Sequence, residues 1–273
     1  MRTDAQQDPR SDHRLDWKKW HEQRVAAVSA PYGPLALTGT HWLADGVPEE
    51  FGRWREDGDE VVLTAAAEHQ LALDGEPLTG EVRLAADAGP VAESRLAQGE
   101  RRLVVLRREG LWAVRVWDPA AEARRAFAGI DATPYEERFR LPGTFRPYEA
   151  RQVKVANADG VERGLALAGE IAFTLGGQEH TLQVAVEGDG SLWAVFADGT
   201  SGKSTYRFRF LRPGAPAWGS PRTESGGGSV TVDFNRALLP PCAFADHFIC
   251  PFPPPGNTLP LDIPAGERTI RTN

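Results

Sequence analysis

A chain of 273 residues with 41% hydrophobic and 25% charged residues has the makeup of a globular protein with room for a substantial core. Its formal net charge of −7 speaks against a nucleic-acid surface, and no apolar run is long enough to span a membrane. Two cysteines exclude a disulfide scaffold, and the polar N-terminus lacks the apolar stretch of a secretory signal, so the chain is expected in the cytoplasm.

The first predicted element is an amphipathic helix within residues 1–30. Leu15, Trp17, Trp20, Val25 and Val28 fall at helical spacing between charged residues, Ser11 or Asp12 offers a cap, and Pro31 ends the pattern. After Pro31 the period drops to two, and residues 31–130 read as an N-terminal β half. Strands are expected at 59–64, 70–73, 81–84, 103–107 and 111–117, separated by the turn dipeptides Asp74-Gly75, Ala88-Gly89 and Glu109-Gly110.

Residues 131–148 interrupt the alternation with Pro134, Pro142, Gly143 and Pro147, which suits a connection between two halves. Residues 149–273 then form a C-terminal β half with a motif-rich tail. Its strands are expected at 151–156, 164–175, 180–186, 192–196, 205–211 and 230–234, with a Gly/Pro/Ser loop over 214–228. Strands never alternate with helices, which argues against a doubly wound parallel sheet. The expected fold is mostly β, an antiparallel sandwich or open barrel, with the N-terminal helix packed across it.

Chemistry-bearing residues concentrate in the last quarter. Ala197-Asp198-Gly199-Thr200-Ser201-Gly202-Lys203-Ser204 has the pattern of a relaxed phosphate-binding loop, but such a loop needs a helix next, whose amides face the phosphates. The alternating Thr205-Tyr206-Arg207-Phe208-Arg209-Phe210 predicts a strand instead, so the segment reads as a polar turn. Cys242, His247 and Cys250 are weak candidate metal ligands; their spacing is not a tight Cys-x-x-Cys, no second ligand pair is visible, and buried thiols or a redox pair are the competing readings. Asp233 and Asn235 end a strand just before Pro240-Pro241, where they either bind a ligand or hydrogen-bond their own turn. No Gly-x-Ser-x-Gly elbow appears, and no histidine shows a local pattern for nucleophilic hydrolysis.

With these residues in view, the chain resembles the DUF1684 family, bacterial and archaeal proteins of unknown function. The likeness begins at Gly39-Thr40-His41-Trp42-Leu43, Arg115-Val116-Trp117-Asp118, Phe127-Ala128-Gly129 and Arg146-Pro147-Tyr148. It strengthens through Phe196–Gly202, Thr205-Tyr206, Asp233-Phe234-Asn235-Arg236-Ala237 and Pro240-Pro241-Cys242-Ala243-Phe244, then Cys250-Pro251, Pro253-Pro254, Asn257 and Ala265-Gly266-Glu267. Leu238-Leu239 and Gly256-Asn257 stand where the family usually shows Tyr-Asn and Glu-Asn, and His247 lies outside its pattern. The resemblance implies no reaction and no cofactor.

Two functions are compatible with this reading. The first is binding of a small molecule, anionic in the sharper version, or an enzyme of undetermined reaction. Asp198, Thr200, Tyr206, Asp233, Asn235 and Asn257 would then gather at the edge of the C-terminal sheet, with Arg146 and Lys203 holding the anion. The second is a non-catalytic protein-interaction module whose proline-rich tail is a structural clasp.

Overall fold

Turn chemistry ties sequence to fold most directly. Glu109 and Gly110 take φ of 50° and 85°, the left-handed pair that a two-residue hairpin turn requires, and Arg108 faces Leu111 across it. Gly176-Gly177 does the same with φ of 64° and 79°, joining Leu175 to Gln178.

The computed structural model describes residues 9–218 and 227–273, so the middle of the expected 214–228 loop lies outside the described residues. The chain is mostly antiparallel β with one long N-terminal helix, Pro9–Val28, as expected. It divides into two compact units: one takes the chain up to Val25 together with Ala128–Asn273, the other Ala26–Phe127.

The Ala26–Phe127 unit contains a six-stranded sheet in the spatial order Leu37–Trp42, Leu111–Trp117, Arg101–Arg108, Leu96–Gln98, Leu71–Leu73 and Glu76–Pro77. A three-stranded sheet of Arg53–Asp57, Glu60–Ala65 and Gly80–Leu84 completes it. Alternating residues such as Leu103, Val105, Trp112 and Val114 point into a core shared with Val61 and Leu63. Leu37–Trp42 and Arg53–Asp57 carry no sequence expectation because Thr38, Gly39 and Thr40 or a run of charges hide the alternation. Their neighbours order them.

The other unit is built on a six-stranded sheet in the order Arg209–Leu211, Leu192–Phe196, Gln178–Val186, Glu162–Leu175, Arg140–Ala156 and Gly228–Asp233. The 17-residue strand Arg140–Ala156 occupies much of the stretch expected as a connection. Its prolines are accommodated by an irregularity. The register runs Pro147↔Gly169 and resumes at Arg151↔Leu167, so extra residues bulge out where Pro147 can donate no hydrogen bond. Gly169 has no side chain because the Phe145 ring lies against it. The inner face packs Phe145, Ile171, Leu182, Leu192, Phe196 and Phe234.

The sheet curls until its edges meet. Beyond Leu211 the chain reaches Ala217, which exchanges two 2.8 Å backbone hydrogen bonds with Ser229 on the opposite edge strand. Phe127–Ala132 pairs with Glu267–Thr272 as a separate ribbon.

Two expectations need correction. The strand expected over 205–211 is confined to Arg209–Leu211, because the Asp198–Thr205 turn closes on itself and Tyr206 N–H donates to Arg268 O instead. The helix begins at Pro9, ahead of both proposed caps, and Leu15 is 55% exposed rather than part of an apolar stripe. Polar bonds anchor it: Trp17 Nε1 donates to Asn235 O at 2.7 Å, and Arg24 donates to Glu267 Oε1 and Leu239 O, each at 3.1 Å.

Candidate functional site

An open cleft of about 260 Å³ follows the seam where the two edges of the curled sheet face each other. One wall is Leu211–Gly214, the other is Thr231 and Asp233 of the edge strand with Arg140 beside them, and His13, Asp16 and Arg236 close the end. Arg140 and Asp233 are cross-strand partners in the sheet, so ladder register alone brings them together.

Asp233 is braced from behind. Its Oδ1 accepts from Asn235 N at 3.1 Å and Asn235 Nδ2 at 2.9 Å, while Arg236 Nε lies 3.8 Å from Oδ2. Asn235 is buried and fully used: its Oδ1 accepts from Glu136 N, its Nδ2 also donates to Glu136 O, and its carbonyl takes the Trp17 indole. Burial pushes the Asp233 carboxyl up, against its bonds to Asn235 and the charges of Arg236 and Arg140.

The cations of the cleft are differently committed. Arg212 pairs with Glu187 at 2.5 Å and stacks on Trp193; Arg236 lies over the Trp20 ring. His13 Nδ1 sits 3.3 Å from Glu137, whose carboxylate also accepts from Tyr135 Oη at 2.8 Å. That tyrosine bond, ahead of His13, holds the Glu137 carboxyl below its usual range. The Arg140 guanidinium makes no hydrogen bond or salt bridge among the described residues, its charge acting on Asp233 at longer range, and it lines the cleft half-buried.

The other residues singled out in the sequence lie elsewhere. Asp198 is buried in its turn, where Oδ1 accepts from Thr200 N at 2.8 Å and Thr200 Oγ1 at 2.6 Å, and Oδ2 pairs with Arg209 at 2.6 Å. No helix follows Ser204, so the phosphate-loop geometry is not formed. Lys203 is exposed and donates to Gly199 O. Asn257 is buried, accepting from Gln183 N and donating to Gln183 O and Val195 O, all at 2.9 Å. Tyr206 reaches Cys242, and Arg146 lies near Glu170 and Glu179 on the exposed sheet face. Of the eight, Asp233 lines the cleft and Asn235 supports it; the rest are not brought to it. Cys242, His247 and Cys250 do not form a metal cluster, and no group of three metal-ligating side chains occurs among the described residues.

Sequence reasoning missed His13, Arg140 and Arg212. Their distance along the chain from Asp233 left no local signal, and only the curl of the sheet brings Arg212 to the opposite edge.

Residues 125–268 match the family described as "Protein of unknown function (DUF1684)". The early motifs around Gly39–Leu43 and Arg115–Asp118 fall outside that match. A solution NMR structure of an uncharacterized protein from Haloarcula marismortui is 29% identical over 52% of this chain and 77% of that chain, with a TM-score of 0.42. No curated protein matches the chain.

Proposed function

The chain belongs to the DUF1684 family, whose function is unknown, and from that premise we propose that its seam cleft binds a small molecule carrying a carboxylate or phosphate group. The observation that carries this reading is Arg140, a cleft-lining guanidinium with no ion pair, flanked by Arg236 and Arg212. A guanidinium offers paired donors that suit a carboxylate or phosphate, and one with no direct ion-pair partner keeps those donors open to an incoming anion. Asp233, beside Arg140 on the same wall, and Asp16 at the end of the cleft suit a hydroxyl or amine of the ligand. The net charge of −7 disfavours a long polyanion at the same place. No helix among the described residues is long and apolar enough to cross a membrane. The proposal assigns binding and no bond-breaking step.

The alternative, an interaction module with a tail clasp, has one observation in its favour. Asp198, Asn257 and Glu267 spend their polar atoms on neighbouring backbone and on Arg209 or Arg24, as a clasp requires. A clasp of this kind leaves the cleft intact, so the two readings part only over whether the cleft is filled.

A thermal-shift screen with phosphate, succinate, citrate and uncharged sugars tests the proposal. An anion at roughly one hundred times its Kd adds about 2.7 kcal/mol, a Tm rise on the order of 5–10 °C. Arg140→Ala is expected to abolish that rise while leaving the unliganded Tm near wild type. Failure of every anion to raise Tm, or an equal rise in Arg140→Ala, overturns the reading.

A further inference from the structure

The two cysteines, eight positions apart in sequence, meet in a small aromatic core separate from the cleft. Neither forms a disulfide, and each is only 4% exposed. Pro240 and Pro241 aim Cys242 at the start of a single 3-10 turn, and there its own N–H donates to Cys250 Sγ at 3.3 Å. Cys250 is pinned in turn, because Ala158 N–H donates to its carbonyl oxygen at 2.8 Å. The Tyr206 hydroxyl donates to the Cys242 carbonyl at 3.3 Å and reaches Cys242 Sγ at 3.8 Å. Arg207 forms the exposed rim, its guanidinium 4.7 Å from the Phe252 ring centre and 5.6 Å from that of Tyr206.

We propose that Cys242 and Cys250 form a reversible dithiol–disulfide couple that reduces small hydroperoxides. Inert structural cysteines sit in apolar surroundings that favour the thiol. Here each sulfur has a polar neighbour: the Cys242 N–H donates to Cys250 Sγ, and the Tyr206 hydroxyl reaches Cys242 Sγ. The Cys250 thiol draws the Cys242 pKa down to about 7 against the cost of burial, and Tyr206 and then Arg207 add to the effect. Tyr206 reaches Cys242 Sγ from the side of the Arg207 rim, which makes Cys242 the nucleophile and Cys250, whose sulfur accepts the Cys242 N–H, the resolving thiol. Burial beneath Tyr206, Arg207 and Phe252 restricts the oxidant to a small molecule, which favours a hydroperoxide over a protein disulfide.

In the first step the Cys242 thiolate attacks one oxygen of ROOH and the O–O bond breaks. The leaving RO⁻ takes up the proton released when Cys242 ionised, giving ROH and a sulfenic acid on Cys242. The Tyr206 hydroxyl and Arg207 are the donors available to the leaving oxygen. Cys250 then loses its proton and attacks the Cys242 sulfur; the S–S bond forms and hydroxide departs with that proton as water. Two thiols and one hydroperoxide become one disulfide, one alcohol and one water, and an external thiol restores the reduced pair.

Treating the reduced full chain with hydrogen peroxide decides the matter. Intact mass is expected to fall by two hydrogens, with a proteolytic fragment pair joined through Cys242 and Cys250, reversed by dithiothreitol. The rate is expected to rise with pH and level off above about pH 7, following the Cys242 thiolate. In Cys250→Ser the reaction is expected to stop at a sulfenic acid on Cys242 that a dimedone-type reagent traps. Oxidation of the native chain no faster than that of the denatured chain overturns the proposal. So does wild-type Cys242 passing to sulfinic acid without a crosslink, or a crosslink only between chains. Should Cys250→Ser fail to fold, the wild-type mass and pH profile decide alone.

Discussion

Asp198 and Arg209 are both fully shielded from solvent, and each holds the other's charge in place. Arg209 also donates to Ile263 O at 2.9 Å and to Ala265 O, so a single guanidinium ties the polar turn to the tail. Burial pushes the guanidinium pKa down, opposed by Asp198 and then Glu267. Removing one member strands the other: Arg209→Met is expected to cost about 3–5 kcal/mol, read from urea unfolding. Adding Asp198→Asn, which keeps the turn's acceptor but discharges it, is expected to recover part of that loss, with a coupling of about 0.5–3 kcal/mol. Strict additivity would show that the pair does not hold the turn. Asp233 gives a pH signature of its own. Its folded pKa lies above the unfolded value of about 3.9, so the native state binds its proton more tightly. The stability it contributes is therefore greatest below that unfolded value and falls as pH rises through the folded one. The stability difference between wild type and Asp233→Asn, measured at a series of pH values from 3 upward, is expected to decline across that window; a flat difference would mean the carboxyl is not perturbed. At this scale the sequence showed where polar residues cluster and hid their burial. Asp198 stands in a glycine turn, Asn257 among prolines and a glycine, and Asp233 at a strand end before Pro240-Pro241, and only the direction each faces separates a turn brace from a cleft wall.

Among the elements, the hairpins were the most legible, because Glu109-Gly110 and Gly176-Gly177 carry their backbone geometry in their residue types. The long Arg140–Ala156 strand was the least legible: Pro142, Gly143 and Pro147 are the residues of a linker, and tertiary pairing on both sides overrides them. The N-terminal helix was found from apolar spacing, yet it is attached largely by polar bonds. Arg24→Ala leaves Glu267, which has no exposed surface, without its closest cation. Burial already pushes that carboxyl toward its neutral form against Arg24, so the variant is expected to lose about 1.5–3 kcal/mol. Trp17→Phe, which deletes the indole bond to Asn235 O, is expected to cost about 1 kcal/mol. Both variants should speed hydrogen exchange of the helix amides more than those of the Glu162–Leu175 strand. Equal acceleration in both elements would place the damage in the sheet instead.

For the molecule as a whole, composition led correctly to a mostly antiparallel β fold, since period-two patterning and the lack of strand–helix alternation survive even where single strands are obscured. The compact units do not follow sequence order, however. Residues up to Val25 belong with Ala128–Asn273, and an intervening stretch, Ala26–Phe127, packs on its own. The contacts of the first helix span 218 residues from Trp17 to Asn235 and 243 residues from Arg24 to Glu267. At a translation speed of about 5–20 residues per second, the helix leaves the ribosome on the order of tens of seconds before its partners exist. The interposed Ala26–Phe127 segment has all its own strands in hand by then. The nascent helix therefore has neither Asn235 nor Glu267 to bind until those residues emerge.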